Sequence, residues 1–227
     1  MFRDEVIDVI KKALAVREEP FFSEAELQLY IARKLEDYKK IRQVYLEYAV
    51  PIDTELRTKH CWPWTGTTAY IDIVVENEDK FLPIEIKYKT ASLETKHSVF
   101  GEKQAMHLRQ QSAQGNGCYD FWKDVRRLEL LRNRYKNKIV QGITLFVTND
   151  HLYWYGAKPD NARIQYAQFS LRDRLVAGPK TLDWNNGKNH GGRIHPIKLA
   201  NSYAINWIDW LKGDEMIEDS QFRYLIL

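Results

Sequence analysis

The spacing of hydrophobic residues changes along the chain, and these changes predict an ordered series of elements. Apolar positions three or four residues apart indicate helices, whereas runs of β-branched and aromatic residues indicate strands. The predicted helices span residues 3–16, 23–40, 102–114, 119–136 and 203–212. The predicted strands span residues 43–50, 70–75, 81–89, 142–148 and 152–155, with strand-like segments at 163–167 and 222–227. From residue 23 to 148 the main order is helix, three strands, helix and strand, which indicates an α/β protein.

A serine and a glutamate mark the start of the second predicted helix. Ser23 matches an N-cap, and Glu26 three residues later completes a capping-box pattern. Projection of this helix at about 100° per residue places Glu24 and Gln28 within its apolar face. An acidic side chain directed at the core must be paired, protonated or bound to a metal. Alternatively, Glu24 is a half-solvated residue of the first turn, where the helix dipole favours negative charge.

Two β-branched runs flank the polar turn 76–80, which is the pattern of a β-hairpin. Side chains along a strand alternate between its two faces. The expected faces of the first strand are Ile71, Ile73 and Val75 on one side and Tyr70, Asp72 and Val74 on the other. On the second strand, Glu85, Lys87 and Lys89 are expected to share one face.

Asp72, Glu85 and Lys87 are the strongest candidates for chemistry. If the turn brings Asp72 beside Glu85, two carboxylates and an ammonium group converge on one patch. Carboxylate oxygens are ligands that suit Mg²⁺, and the ammonium would stand beside the metal-bound water. Alternatively, the three charges form a surface ion cluster, in which opposed charges across strands contribute about 0.2–1 kcal/mol per pair.

The pattern resembles the PD-(D/E)XK nuclease superfamily. Asp72 stands in the place of the first acidic residue of that family, Glu85 in that of the second, and Lys87 in that of the motif lysine. One departure is that Ile71 occupies the position of the motif proline. The resemblance implies the restriction-endonuclease-like αβββαβ core, a central mixed sheet flanked by helices, here with extra C-terminal strands and a helix.

The resemblance also implies a metal site with Mg²⁺, for which Mn²⁺ can substitute. Asp72, Glu85 and the backbone carbonyl of Ile86 would bind the metal, and Lys87 would orient the attacking water. Glu24 would hold a second metal or a metal-bound water, because the family places an acidic residue on the helix before its first core strand.

Four further residues are weaker candidates for auxiliary or nucleic-acid-binding roles. These are Gln28, Lys89, Lys123 and Arg127. Lys89 is alternatively a solvated lysine at a strand end. Asp120, Asp124 and Arg127 share one helix face by their spacing, and an ion network within the helix is the favoured interpretation of that group.

Length and composition indicate the number of domains and the cellular compartment, but they do not identify a partner. The 227 residues suit one domain spanning 1–227, with a core at about 23–155 and a C-terminal elaboration at 156–227. No apolar run reaches the length of a membrane span and no signal-peptide pattern is present, so a cytoplasmic protein is expected. The two cysteines, Cys61 and Cys118, are expected to be free thiols.

The charge distribution gives a local rather than a global signal for nucleic acid. The net charge is only +3, but seven basic residues against two acidic ones lie between Lys123 and Lys138. This segment is either a phosphate-facing helix surface or a solvated helix face.

Together, the sequence predicts a metal-dependent nuclease that hydrolyses phosphodiester bonds, of DNA rather than RNA, with no membrane partner. A homodimer is an arrangement that the analogy with double-strand-cutting relatives allows. The first alternative is an inactive nuclease-like module that binds nucleic acid or a protein partner. The second is a different mixed α/β protein in which the hairpin charges are coincidental.

Overall fold

The computed structural model describes residues 2–54, 66–78, 80–111, 113–185, 191–212 and 219–227. Within these ranges the helices are α1 (Phe2–Ala15), α2 (Glu24–Glu36) and α3 (Gln114–Arg134). The first six strands are β1 (Gln43–Pro51), β2 (Thr68–Asn77), β3 (Lys80–Lys89), β4 (Leu93–Val99), β5 (Glu102–Leu108) and β6 (Ile143–Thr148). A short 3₁₀ helix (Ala167–Phe169) precedes β7 (Leu175–Ala177), β8 (Thr181–Leu182), β9 (Ile197–Lys198), β10 (Tyr203–Ile205), β11 (Ile208–Asp209) and β12 (Arg223–Ile226). Cys61 lies outside the described residues, whereas Cys118 is a buried free thiol.

A mixed six-stranded sheet organises the molecule, in the order β1-β2-β3-β6-β12-β11. β3 and β6 are parallel, and the other neighbours are antiparallel. A parallel pair needs a long crossover, which the chain supplies with the β4–β5 hairpin and α3. The predicted mixed α/β fold with a mixed central sheet is therefore confirmed. Its assignment to the restriction-endonuclease-like fold stays a prediction.

Helices cover both faces of this sheet because each has one apolar side. The buried positions of α1 and α2 pack on sheet residues such as Ile84, Ile86 and Leu145. On the opposite face, α3 packs against Phe146 and an aromatic C-terminal region. Ser23 caps α2 as predicted, since its Oγ accepts the backbone N–H of Glu26 at 3.0 Å.

β1 and β2 lose their pairing at one level, here called the kink, and the expected alternation of faces is broken there. Their register continues on both sides of Glu47 and Asp72, but these two residues are not paired, and Glu47 has a φ of 47°. A positive φ is uncommon for any residue other than glycine. Ile71 consequently packs with Val74 beneath the end of α3, whereas Ile73 packs beneath α1 and α2. The expected common face of Ile71 and Ile73 is therefore wrong.

The segment predicted as a helix at 102–114 is instead half of a β-hairpin. β4 and β5 pair antiparallel over seven residue pairs, from Leu93 with Leu108 to Val99 with Glu102. Helix-forming residues in β5 adopt the strand because β4 offers them a complete ladder of partners. The predicted break at 115–117 is also wrong, since these residues form the first turn of α3. Their glycines serve close packing there, because a Cβ at Gly117 would collide with the Tyr153 side chain.

The C-terminal region is built from short strands and turns. The helix predicted at 203–212 is wrong, because β10 and β11 occupy that segment. Its buried residues, Tyr203, Ile205 and Trp207, recur at every second position, which is the period of a strand. The strands predicted at 152–155 and 163–167 are turns, whereas the one at 222–227 is confirmed as β12.

Candidate active site

Six charged side chains from four elements converge near the carboxyl end of β3. They are Glu24 of α2, Asp72 of β2, Glu85 and Lys87 of β3, and Asp124 and Arg127 of α3. This group is called the charged cluster below. It contains the four predicted principal residues, and it adds Asp124, which the sequence analysis had assigned to an ion network within the helix.

Asp72 and Glu24 replace the missing neighbour of β3. Pairing between β2 and β3 extends only to Ile73 and Ile84, so the next outward amides of β3 have no strand beside them. Asp72 Oδ2 accepts the Ile86 N–H at 2.6 Å, and Glu24 Oε2 accepts the Tyr88 N–H at 2.7 Å. Both carboxylates are thereby fixed along one edge of β3. The N–H and C=O of a strand residue point to the same side, so the Ile86 carbonyl faces this edge too.

Gln28 ties the kink to helix α2. Its Nε2 donates to the Asp72 carbonyl at 2.6 Å and to Glu47 Oε1 at 2.9 Å. Glu47 and Asp72 are the two residues at which β1 and β2 lose their pairing. Gln28, predicted as an auxiliary residue, therefore holds the backbone of Asp72 through its side-chain amide.

Glu85 is a buried carboxylate with few partners. Its side chain is 3% exposed, and Oε1 accepts no hydrogen bond while lying 3.3 Å from the Arg127 guanidinium. Burial raises the pKa of Glu85 well above its ordinary value, and the charges of Asp124 and Asp72 raise it further against the opposing effect of Arg127. Burial also raises the pKa of Asp72. A group in such an environment gains most from an added positive charge.

Lys87 and Arg127 are held by Asp124. Lys87 Nζ lies 2.8 Å from Asp124 Oδ2, and Arg127 Nη1 donates to Asp124 Oδ1 at 3.1 Å. Burial alone would lower the pKa of Lys87, but Asp124, Glu24 and Glu85 outweigh it and raise that pKa. The lysine is consequently a firmly protonated ammonium. The interpretation of Asp124 and Arg127 as a network within one helix is too narrow, because both side chains bind β3.

The charges of the cluster leave room for a divalent cation. With four carboxylates, one ammonium and one guanidinium, the formal charge is minus two, which one divalent ion would neutralise. The buried Glu85 Oε1 without a hydrogen bond is a suitable ligand atom, and Asp72 lies near enough to influence its titration. Magnesium commonly uses one or two carboxylates and completes its coordination with water. The residues present therefore fit such an ion.

The remaining auxiliary candidates are not drawn into the cluster. Lys89 and Lys123 are half-exposed, and in the described ranges neither side chain makes a hydrogen bond or an ion pair. Asp120 also lies apart, since it holds Arg193 through two contacts of 2.8 and 2.6 Å. Of the helix-face group, only Asp124 and Arg127 thus belong to the charged cluster.

A second group of potential metal ligands lies elsewhere. One ligand atom each of Asp150, His151 and Asp219 lie within 4.8 Å of one another, and no other such trio occurs in the described part of the chain. No three carboxylates of the charged cluster therefore bring their ligand atoms this close together. In the trio, Asp150 already accepts bonds from Gln114 and the Leu152 amide, and Asp219 accepts one from His151 at 2.6 Å. None of these three residues is among the site residues predicted from the sequence.

Comparisons with known proteins add no assignment. No family model, no curated protein and no solved structure matches the chain. Among the described residues, no helix combines the length and apolar character that crossing a bilayer requires.

Proposed function

We propose that the protein is a metal-dependent nuclease that hydrolyses phosphodiester bonds of DNA. The observation that carries the proposal is the Glu85 carboxylate, buried without a hydrogen bond to Oε1 and standing between Asp72, Lys87 and Arg127. Burying a carboxylate is costly, the Arg127 guanidinium at 3.3 Å compensates part of that cost, and a bound metal cation would compensate the rest. A metal site explains why the chain retains the residue there.

The metal would be held by Asp72, Glu85 and the Ile86 carbonyl, and Glu24 would contact a metal-bound water. When bound, it would polarise the phosphate, lower the pKa of a coordinated water and stabilise charge on the phosphate oxygens. The same residues are those that the family resemblance assigns to the metal. The order α2, β1, β2, β3, α3 and β6, with the β4–β5 hairpin inserted before α3, supports the restriction-endonuclease-like core.

Lys87 would act as a hydrogen-bond donor rather than as a base. Because its pKa is raised, the ammonium keeps its protons and can stabilise a hydroxide or a phosphate oxygen. Asp124 is the positioning residue that fixes Lys87 at 2.8 Å. Glu24, which uses Oε2 for the Tyr88 amide, would hold the attacking water with its other oxygen and accept the proton of that water.

One observation favours a second candidate, an inactive module that binds nucleic acid. Lys87 and Glu85 are both engaged by α3, through Asp124 and Arg127. In an inactive module these ion pairs would be permanent, whereas in a nuclease the metal and the phosphate would replace part of them.

Incubation of the purified protein with supercoiled plasmid, linear duplex, single-stranded DNA and RNA, in Mg²⁺ or Mn²⁺, tests the proposal. We expect cleavage by the wild type that Glu85→Ala and Lys87→Ala abolish. Glu36→Gln and Lys12→Gln change exposed residues of the same types and should cut normally. Cleavage that survives Glu85→Ala would contradict the assignment of the site. Binding of DNA without cleavage in either metal would favour the inactive module.

A further inference from the structure

The β4–β5 hairpin stands apart from the central sheet and has two different faces. It forms a two-stranded sheet of its own, here called the ribbon. The inner face packs toward the core through Leu93 and Leu108, and His97 pairs with Glu19 at 3.0 Å. The outer face is exposed along both strands.

Basic and small residues dominate the outer face of the ribbon. The register places on it Glu94, Lys96, Ser98, Lys103, Ala105 and His107. Lys96 lies opposite Ala105, so Lys103 and His107 are its two diagonal neighbours, on the order of 7–8 Å away. The face thus carries two lysines, one carboxylate opposite His107, and a histidine whose Nε2 lies 3.2 Å from Ser92 Oγ. The small residues Ser98 and Ala105 allow close approach of a polyanion. This is the combination of lysine and hydroxyl groups that contacts phosphates in nucleic-acid complexes.

The tip of the ribbon presents a fully exposed aromatic ring. Phe100 makes the turn with Gly101, and both have positive φ values, 52° and 91°. Asparagine or glycine is the usual residue for the first position of such a turn, and a bulky side chain there is strained. A residue that is both strained and fully exposed gives no benefit to the folded chain alone, which indicates a use in binding.

The ribbon starts next to the charged cluster. Only residues 90–92 separate the end of β3, which carries Lys87, from the start of β4. The base is fixed, because Thr90 Oγ1 donates to the Arg109 carbonyl at 2.7 Å and Asn149 accepts the Ala91 N–H at 2.9 Å. Along the chain, the half-exposed Lys89 lies between Lys87 and the ribbon. A polyanion bound to the ribbon would therefore lie close to the strand that carries Lys87.

We propose that the ribbon is a duplex-binding arm, which lays its outer face along the phosphates and places Phe100 against the bases. This inference rests on the proposed nuclease function, because it supplies the double-stranded substrate to the same cluster. A two-stranded ribbon fits the major groove, which is about 12 Å wide, and apolar side chains can wedge between base steps. The duplex is favoured over a single strand because the basic face is two strands wide.

Binding of a fluorescently labelled duplex, measured by anisotropy in EDTA, tests the arm without any cleavage. We expect Phe100→Ser to weaken binding about ten-fold, which is the usual effect of losing one aromatic–base contact. Phe100→Gly should weaken it similarly although glycine relieves the backbone strain, so misfolding would not explain the loss.

Lys96→Gln combined with Lys103→Gln should flatten the slope of log affinity against log salt by about two. Val176→Ser and Lys12→Gln change exposed residues away from the ribbon and should leave binding unchanged.

The outcomes separate this inference from the proposed function. Tight duplex binding that the ribbon variants do not weaken would overturn the arm, even if cleavage is observed. Absence of duplex binding by the wild type would overturn it too, as would a wild-type dimer that Phe100→Ser converts to a monomer without changing affinity for the duplex. Weakened binding by the ribbon variants supports the arm even if no substrate is cut, in which case only the catalytic proposal fails.

Discussion

Helix α3 contributes to two buried charge groups about one turn apart, and they differ in how fully they are satisfied. Toward the C-terminal region, Glu129 is 6% exposed in its whole residue and receives five donors. These are Ala200 N–H, Asn201 N–H, Asn201 Nδ2, Tyr203 Oη and Arg126 Nη1, all at 2.9–3.0 Å. Toward β3, Glu85 is equally buried, but its Oε1 accepts no hydrogen bond.

The difference separates a carboxylate with a structural role from the one that we propose to bind a metal. A buried carboxylate is tolerated when hydrogen bonds replace its hydration, as they do around Glu129. Glu129 thus pins the segment 200–203 to α3. Glu85 has the Arg127 guanidinium at 3.3 Å but no hydrogen bond to Oε1, so its burial stays costly, and the proposed metal would remove that cost. The number of partners, rather than burial or residue type, distinguishes the two groups.

The largest effect is expected from Glu85→Gln, which should separate activity from stability. Cleavage should fall by at least about 10²- to 10³-fold, because a ligand for the proposed metal is lost. The free energy of unfolding should not decrease, since the substitution removes a buried charge while Arg127 keeps Asp124 and the Tyr70 carbonyl at 3.0 Å. Cleavage assays and urea denaturation measure the two quantities, with Glu36→Gln as the control.

The difference in stability between Glu85→Gln and the wild type should depend on pH with a definite sign. Because folding raises the pKa of Glu85, the protonated form is favoured in the folded state. The resulting stability is fully present below the unfolded pKa and is lost as the pH rises through the folded pKa. Glutamine resembles the protonated group, so the advantage of Glu85→Gln over the wild type should grow with pH. An advantage that shrinks as the pH rises would contradict the origin of the shift.

Glu129→Ala is expected to have the next largest effect. It should lower stability and leave cleavage intact, which is the opposite of Glu85→Gln. Removing the acceptor leaves buried donors without partners and Arg126 without its ion pair, so unfolding should become easier by about 3–5 kcal/mol. Cleavage per folded molecule should stay near normal. Glu129→Gln keeps one carbonyl acceptor and should lose less stability. A Glu129→Ala protein with unchanged stability would remove the distinction between the two groups.

The positions of Glu24, Asp72 and Glu85 could be predicted from sequence because they depend on short-range patterns. The capping serine and the apolar period of α2 place Glu24 on the inner face, and the hairpin pattern places Asp72 near Glu85. The kink at Glu47 could not be predicted, since no local propensity favours a positive φ for glutamate there.

The role of Asp124 was also outside the reach of sequence patterns. Its spacing from Arg127 supports an ion pair within α3, which does exist, but the contact with Lys87 depends on how α3 docks on the sheet. The helix predicted at 102–114 was wrong for a related reason. Its helix-forming residues pair with β4, and this pairing outweighs their local preference. Long-range pairing decides both cases.

Metal binding should stabilise the protein by an intermediate amount and can locate the site. Mg²⁺ at about one hundred times its dissociation constant should add about 2.7 kcal/mol to the free energy of unfolding, which raises the melting temperature by several degrees. Asp72→Asn should abolish this shift, whereas Asp150→Asn should retain it. The reverse pattern would move the metal to the trio of Asp150, His151 and Asp219 and leave the charged cluster without one.

The smallest effect is expected from Gln28→Ala, which tests whether the kink must be held for Asp72 to function. The variant loses two hydrogen bonds that join α2 to the Asp72 carbonyl and to Glu47, so stability should fall by only about 1 kcal/mol. Metal affinity should nevertheless fall about 10- to 100-fold, as is usual when a residue that orients a ligand is removed. Gln43→Ala, which removes one long contact of an exposed glutamine, is the matched control. Magnesium titrations that give equal affinities for Gln28→Ala and the wild type would mean that the sheet alone orients Asp72. If the free energy of unfolding and the free energy of metal binding fall by the same amount, Gln28 serves folding rather than the geometry of the site.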